Sequence, residues 1–173
     1  MPPGAESVAA HSYGVALAAM MLADECASRG VEVDAERVLR LALLHDLAET
    51  RTGDMPRTVA DYYGKEARVH AERAAFDDIM RGSPRAEAYG ALHEDYEERG
   101  SLEARLVKAA DVVDLLAQAL AFERAGARGL EEFWEGAEGR DFGLEGASRE
   151  VVREVVASLV RARAEINSVA GRQ

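Results

Sequence analysis

Apolar residues recur along this chain at three- and four-residue spacing, and nowhere do they alternate with polar ones over a β-branched run. Such spacing puts one stripe of each segment against a core and predicts helices rather than strands. The first helix is expected from about Ser7 to Ser28, ending at Gly30. Asp34 then caps a second, from Ala35 to about Glu49. Thr52-Gly53-Asp54-Met55-Pro56 reads as a turn, because glycine and proline punctuate it. A third helix is predicted from Lys65 to Met80, and a fourth from Ser83-Pro84, as N-cap and first-turn proline, to Glu98. Ser101 opens a fifth, with Leu102, Leu106, Val113, Leu116 and Leu120 on one stripe. The glycine-rich stretch from Gly126 to Gly146 predicts a loop around a short Leu130–Trp134 helix. Ser148 begins the last helix, with Val151, Val152, Val155, Val156, Leu159, Val160 and Ile166 on its apolar face. Trp134 and that apolar stripe read as core or dimer contact. Without repeats or a linker, the expectation is one all-α domain over residues 1–173, a bundle of about six to seven helices.

Composition narrows what such a bundle can do. At 173 residues and 48% hydrophobic, the chain can bury a real core. Its 21 basic and 32 acidic residues give a net charge of −11, which repels nucleic-acid polymers and anionic membranes. Cys26 is the single cysteine and has no internal partner, which fits a reducing compartment. The opening Met-Pro-Pro-Gly-Ala-Glu has no basic region followed by an apolar run, and no stretch reaches the ~18 apolar residues of a membrane span. A soluble, cytoplasmic protein is expected.

With four histidines in all, their placement matters. His45-Asp46 ends the apolar run Val38-Leu39-Arg40-Leu41-Ala42-Leu43-Leu44, where an ionisable pair is costly unless it is paired or binds a metal. His11 lies among small apolar residues of the first helix, and Asp111 between Ala110 and Val112 of the fifth. A lone histidine or aspartate on a core-facing helix is more often a hydrogen-bonded core residue than a ligand. Two imidazoles and two carboxylates on helices facing one core can instead converge on a divalent cation. Such a nitrogen and oxygen set suits Mn, Co, Ni, Fe or Zn better than calcium. Lys108 lies one helical turn before Asp111 on the same face, where it can neutralise phosphate charge or pair with a ligand carboxylate. Arg51 and Arg57 flank the turn and read equally as phosphate contacts or surface charge.

Glu6-Ser7-x4-His11, Leu44-His45-Asp46-Leu47-Ala48-Glu49, Thr52-Gly53-Asp54, Tyr96-Glu97 and Val107-Lys108-x2-Asp111 together resemble the HD-domain metal-dependent phosphohydrolases. Within them they look like the 5′-deoxynucleotidase branch. The resemblance runs from about Glu6 to Trp134, and ends in Gln118-Ala119, Phe122-Glu123 and Leu130-Glu131-Glu132-Phe133-Trp134. It implies an all-α HD fold and one divalent metal ion (Co, Mn, Mg, Ni, Fe or Zn) held by His11, His45, Asp46 and Asp111. It also implies a homodimer that hydrolyses deoxyribonucleoside 5′-monophosphates to deoxynucleoside and phosphate. Such an ion lowers the pKa of its water and polarises a phosphoryl oxygen. Glu49, four residues after His45 on a continuing helix, matches the family's acid/base glutamate. Asp54 matches an aspartate that contacts the sugar 3′-hydroxyl, a role that suits an acceptor-only carboxylate.

The family usually carries, on a helix before the first histidine, an arginine and a tryptophan that touch phosphate and base. The ten residues before His11 hold neither, so either that segment lies outside this sequence or the pocket is completed differently. His70 and His93 stand where binuclear HD phosphohydrolases carry two more ligands, which would make a phosphodiesterase or dinucleotide hydrolase. Their polar surroundings, Arg68-Val69-His70-Ala71-Glu72-Arg73 and His93-Glu94-Asp95, predict solvated faces instead. A nucleotide-binding regulatory protein without turnover is the non-enzymatic alternative.

Overall fold

The computed structural model describes residues 6–53 and 62–170. The helices are α1 (Val8–Ser28), α2 (Ala35–Leu44), α3 (Glu49–Thr52), α4 (Lys65–Met80), α5 (Ala86–Glu98), α6 (Leu102–Arg124), α7 (Glu131–Trp134) and α8 (Gly146–Ala170). A 3-10 turn over Ala137–Gly139 precedes α8, and no strand occurs among the described residues. The protein is an all-α bundle, with six helices of ten residues or more doing the packing.

Three starts follow directly from side-chain caps. Ser7, Asp34 and Ser101 accept the backbone N–H of Ala10, Arg37 and Ala104, satisfying donors that a first turn leaves open. Gly30 sits at φ +84°, where a Cβ would be strained, and Val31 N–H reaches back to the Cys26 carbonyl to close α1. Two predicted starts differ. The Ser83 hydroxyl accepts only Arg85 N–H in a turn, and α5 begins at Ala86. α8 begins at Gly146, with the Ser148 hydroxyl spent on the Glu145 carbonyl.

The second predicted helix is also shorter than its pattern. α2 ends at Leu44, and residues 45–48 continue as turns with Leu47 N–H on the Leu44 carbonyl and Glu49 N–H on Asp46. The cause is local: His45 Nδ1 takes the Ala42 carbonyl, which the next helical N–H would otherwise use. Tighter i to i+3 bonds then carry the chain into the single turn of α3.

α1, α2 and α6 pack on one another, α8 covers α6 and α1, and α5 closes against α2 and α6. Val15, Ala19 and Leu22 of α1, Val38 and Leu41 of α2, and Leu106, Val107 and Leu116 of α6 fill the centre. Each large apolar side chain buried there contributes ~1.5–3 kcal/mol. Glu123, buried on α6, receives both Nε–H and guanidinium contacts from Arg163, whose Cζ lies 4.9 Å from the Trp134 ring centre. That cluster pins α8 and α7 to α6, and Trp134 is core. No helix among the described residues is long and apolar enough to cross a membrane.

Candidate metal centre

Helix packing brings four of the predicted residues to one point. His11 comes from the second turn of α1, His45 and Asp46 from the end of α2, and Asp111 from the middle of α6. His11 Nε2 lies 3.3 Å from an Asp46 oxygen and 3.3 Å from an Asp111 oxygen. His45 Nε2 lies 3.1 Å from the same Asp46 oxygen. The donor atoms of His11, His45 and Asp111 all fall within 4.8 Å of one another, with Asp46 held against both imidazoles.

The His45 ring settles what chemistry this cluster suits. Its Nδ1 is 2.7 Å from the Ala42 carbonyl, an atom that can only accept, so Nδ1 carries the proton. With that proton on Nδ1, the ring presents a lone pair at Nε2, fully buried and without a hydrogen-bond partner despite the nearby Asp46 oxygen. A buried lone pair facing a carboxylate is costly unless a cation lies between them. Charge balance points the same way. The His11 pKa is pushed up to about 12 by hydrogen bonds to Asp111, Asp114 and Asp46. Burial opposes ionisation of Asp46, yet the hydrogen bond from His11 holds its carboxyl below the usual range. Asp111 is held down to about 2, with His11 and Lys108 overcoming its burial. Three carboxylates thus hold a proton on His11 in a half-buried cluster of nitrogen and oxygen donors, a set that fits a divalent metal ion.

The cluster opens into a cavity of about 430 Å³. Glu49 lines it from the first position of α3, so its placement rests on a change of helix rather than on one continuous face. Lys108 lines it too, with Nζ 2.7 Å from Asp111 Oδ2 and 5.8 Å from the centre of the Tyr96 ring. Tyr96 packs edge-on against His45 at 5.3 Å, and burial, then Asp111 and Asp46, push its hydroxyl pKa well up. Arg68 and Arg99 add cationic side chains to the wall. Arg51 is exposed, and Asp54 and Arg57 lie outside the described residues.

His70 is exposed, as its neighbours predict, but His93 is not. It is 6% exposed, stacks at 4.3 Å on Phe76 of α4, and lines the cavity. Its charged neighbours in sequence point off other faces of α5, while the apolar ring that covers it comes from another helix. Burial holds its imidazole below the ordinary histidine range. Neither His70 nor His93 joins a metal-ligating group among the described residues. Sequence reasoning also missed Asp114, 3.0 Å from His11 Nδ1. The available signal was its spacing, one helical turn beyond Asp111 and one before Gln118.

The chain is similar to known proteins in sequence and in fold. The HD domain family matches residues 2–140. The 5′-deoxynucleotidase HDDC2 of Xenopus laevis is 34% identical over 140 residues, covering 78% of this chain and 65% of that protein. The human 5′-deoxynucleotidase HDDC2 is 36% identical over 121 residues, covering 68% and 55%. The chain therefore spans a little over half to two-thirds of these relatives' length. A conserved hypothetical protein from Pyrococcus furiosus superposes with a TM-score of 0.77 at 38% identity, covering 92% of this chain and 86% of its own. HD domains bind divalent metals, and His11, His45 and Asp111 form a group that could hold one here; with the family's match over most of its length, the chain belongs to the HD-domain family.

Proposed function

We propose that this protein is a metal-dependent phosphohydrolase that cleaves deoxyribonucleoside 5′-monophosphates to deoxynucleoside and phosphate. The observation that carries the reading is the buried, unpartnered Nε2 of His45, set beside Asp46 and His11 in a cavity that also holds Glu49 and Lys108. The name 5′-deoxynucleotidase on the relatives from Xenopus laevis and human supports the substrate class.

His11, His45, Asp46 and Asp111 would hold one divalent ion, with Co, Mn, Mg, Ni, Fe and Zn the candidates. Bound there, it would lower the pKa of a water and polarise a phosphoryl oxygen. Lys108, steadied by Asp111, draws the phosphate dianion into an otherwise acidic protein. Glu49 orients the attacking water and accepts its proton as the water oxygen bonds to phosphorus. The bond from phosphorus to the 5′ oxygen breaks, and Glu49 returns the proton to that leaving oxygen. Tyr96 and Ala48, both buried on the wall, limit water around the reacting group. Asp54, one residue beyond Gly53 at the end of α3, is assigned to the sugar 3′-hydroxyl on the family resemblance.

Buried, unpaired Cys26 supports a reducing, cytoplasmic setting. Exposed Tyr13, Leu17 and Met21 on α1 support a homodimer, which the molar mass in solution tests. For the activity, purified protein with Co, Mn or Mg is assayed for phosphate release from 5′-monophosphates with and without the 2′-hydroxyl. Turnover of the deoxy series is expected, and no turnover of any monophosphate by the metal-loaded protein contradicts the reading.

A further inference from the structure

We infer that Asp114 is a positioning residue for the metal centre: its carboxylate fixes the His11 imidazole with Nδ1 protonated and Nε2 turned toward Asp46 and Asp111. The inference rests on the metal-centre reading above. Asp114 lies one turn after Asp111 on α6, so both carboxylates face α1. One Asp114 oxygen is 3.0 Å from His11 Nδ1, on the ring edge opposite the cluster. The same oxygen accepts Gln118 Nε2–H at 3.0 Å, from one turn further along α6. Gln118 also donates to Glu6 at 2.5 Å, just ahead of α1. Asp114 is thus held on its own helix while it holds a residue of the neighbouring one.

Gly14 supplies the room. A Cβ built at Gly14 would fall 2.2 Å from one Asp114 oxygen and 2.8 Å from its carboxyl carbon. Alanine in an exposed helix interior would be favoured over glycine by ~1 kcal/mol, so glycine here trades helix propensity for close approach. His11 and Gly14 are one turn apart on α1, as Asp111 and Asp114 are on α6. That matched spacing lets one face of each helix build both the ligand set and its support.

Without Asp114 the His11 ring keeps Asp46 and Asp111 beside Nε2 but loses the acceptor that holds a proton at Nδ1. A carboxylate on Nδ1–H selects the tautomer, sets the ring plane and makes Nε2 more basic. Loss of such a partner typically costs 10- to 100-fold in metal affinity. Glu6, His11 and Asp114 also have donor atoms within 4.8 Å of one another, which offers a rival role as a second cation site. The Gln118 amide already donates to both carboxylates, which favours the positioning role.

The test is Zn2+ affinity of the chelated full chain, together with long-range proton–nitrogen spectra of the zinc-loaded protein. Asp114→Ala is expected to weaken Zn2+ binding by about 10- to 100-fold and to disturb the His11 tautomer. Asp114→Asn keeps an oxygen for both donors, so affinity is expected to stay within about 5-fold and Nδ1–H to persist. Gly14→Ala displaces an intact carboxylate and is expected to follow Asp114→Ala; with Asp114→Asn it carries the test if the alanine variant does not fold. Asp114→Ala binding within twofold of wild type, or with the His11 tautomer unchanged, would overturn the inference. A second zinc that requires Glu6 would overturn it as well. His11→Ala separates the two failures: wild-type affinity in that variant sinks the metal centre itself, whereas a loss there with none in Asp114→Ala sinks only the positioning role.

Discussion

His45 donates Nδ1–H to the carbonyl of Ala42, 2.7 Å away, and this one bond both ends α2 and turns a bare Nε2 lone pair into the site. Helix geometry and ligand geometry therefore share a cause. His45→Ala is expected to lower divalent-metal affinity by at least ~100-fold, because a buried imidazole ligand is lost. In wild type, metal at a hundred times its Kd adds ~2.7 kcal/mol, which raises Tm by roughly 5–10 °C for a domain of this size. Thermal melts with and without Co2+ check this: the rise should vanish in His45→Ala, and its persistence would place the ion elsewhere.

Glu49 lines the cavity from α3 but does not belong to the ligand cluster. Glu49→Gln preserves shape and removes the proton acceptor. A kcat loss of ~100- to 10,000-fold is expected, with metal affinity kept within about threefold. Steady-state kinetics beside a metal titration separate the two. Full activity in the glutamine variant would remove Glu49 from the mechanism.

His93 is a buried imidazole on the cavity wall, stacked on Phe76. The imidazole gives that wall a hydrogen-bonding capacity. His93→Phe keeps the stack on Phe76 and removes that capacity. KM is expected to rise about 10-fold, the scale of one lost hydrogen bond, while Tm holds or rises. An unchanged KM would make His93 a packing residue only.

The convergence of His11, His45, Asp46 and Asp111 was legible because each stands within, or directly after, an apolar helical run. The helix starts near Ser7, Asp34 and Ser101 were equally plain, and in the structure all three residues are caps. Two things were not. Periodicity alone could not show that His45 would capture the Ala42 carbonyl and break the helix before Glu49. Nor could neighbours in sequence report the burial of His93, which Phe76 covers from seventeen residues away. Asp114 and Gly14 were hidden for the same reason, since their meaning lies in the contact between α1 and α6.

Asp95 joins three helices away from the ligand cluster. Its carboxylate accepts the Ser101 N–H at 2.9 Å, the Ser101 hydroxyl at 2.6 Å and an Arg37 N–H at 2.7 Å. Burial opposes its ionisation, but Ser101 and Arg37 prevail and hold the pKa below the ordinary value. Its stabilisation is therefore full above pH ~4 and fades as pH falls through the folded-state pKa. Asp95→Asn is expected to cost ~1.5–3 kcal/mol at pH 7, the range for hydrogen bonds to a charged group. Urea melts from pH 7 down to 3 should show the gap to wild type closing below pH 4. A gap independent of pH would mean the charge contributes nothing.

Activity of the chelated protein against a deoxynucleoside 5′-monophosphate, followed as Co2+ or Mn2+ is added back, bears most directly on the metal-dependent reading. Phosphate release is expected to be absent without metal and to rise to a plateau at one bound equivalent per chain. Turnover in the chelated protein, or a plateau reached only at two equivalents, would contradict a single-ion centre built from His11, His45, Asp46 and Asp111.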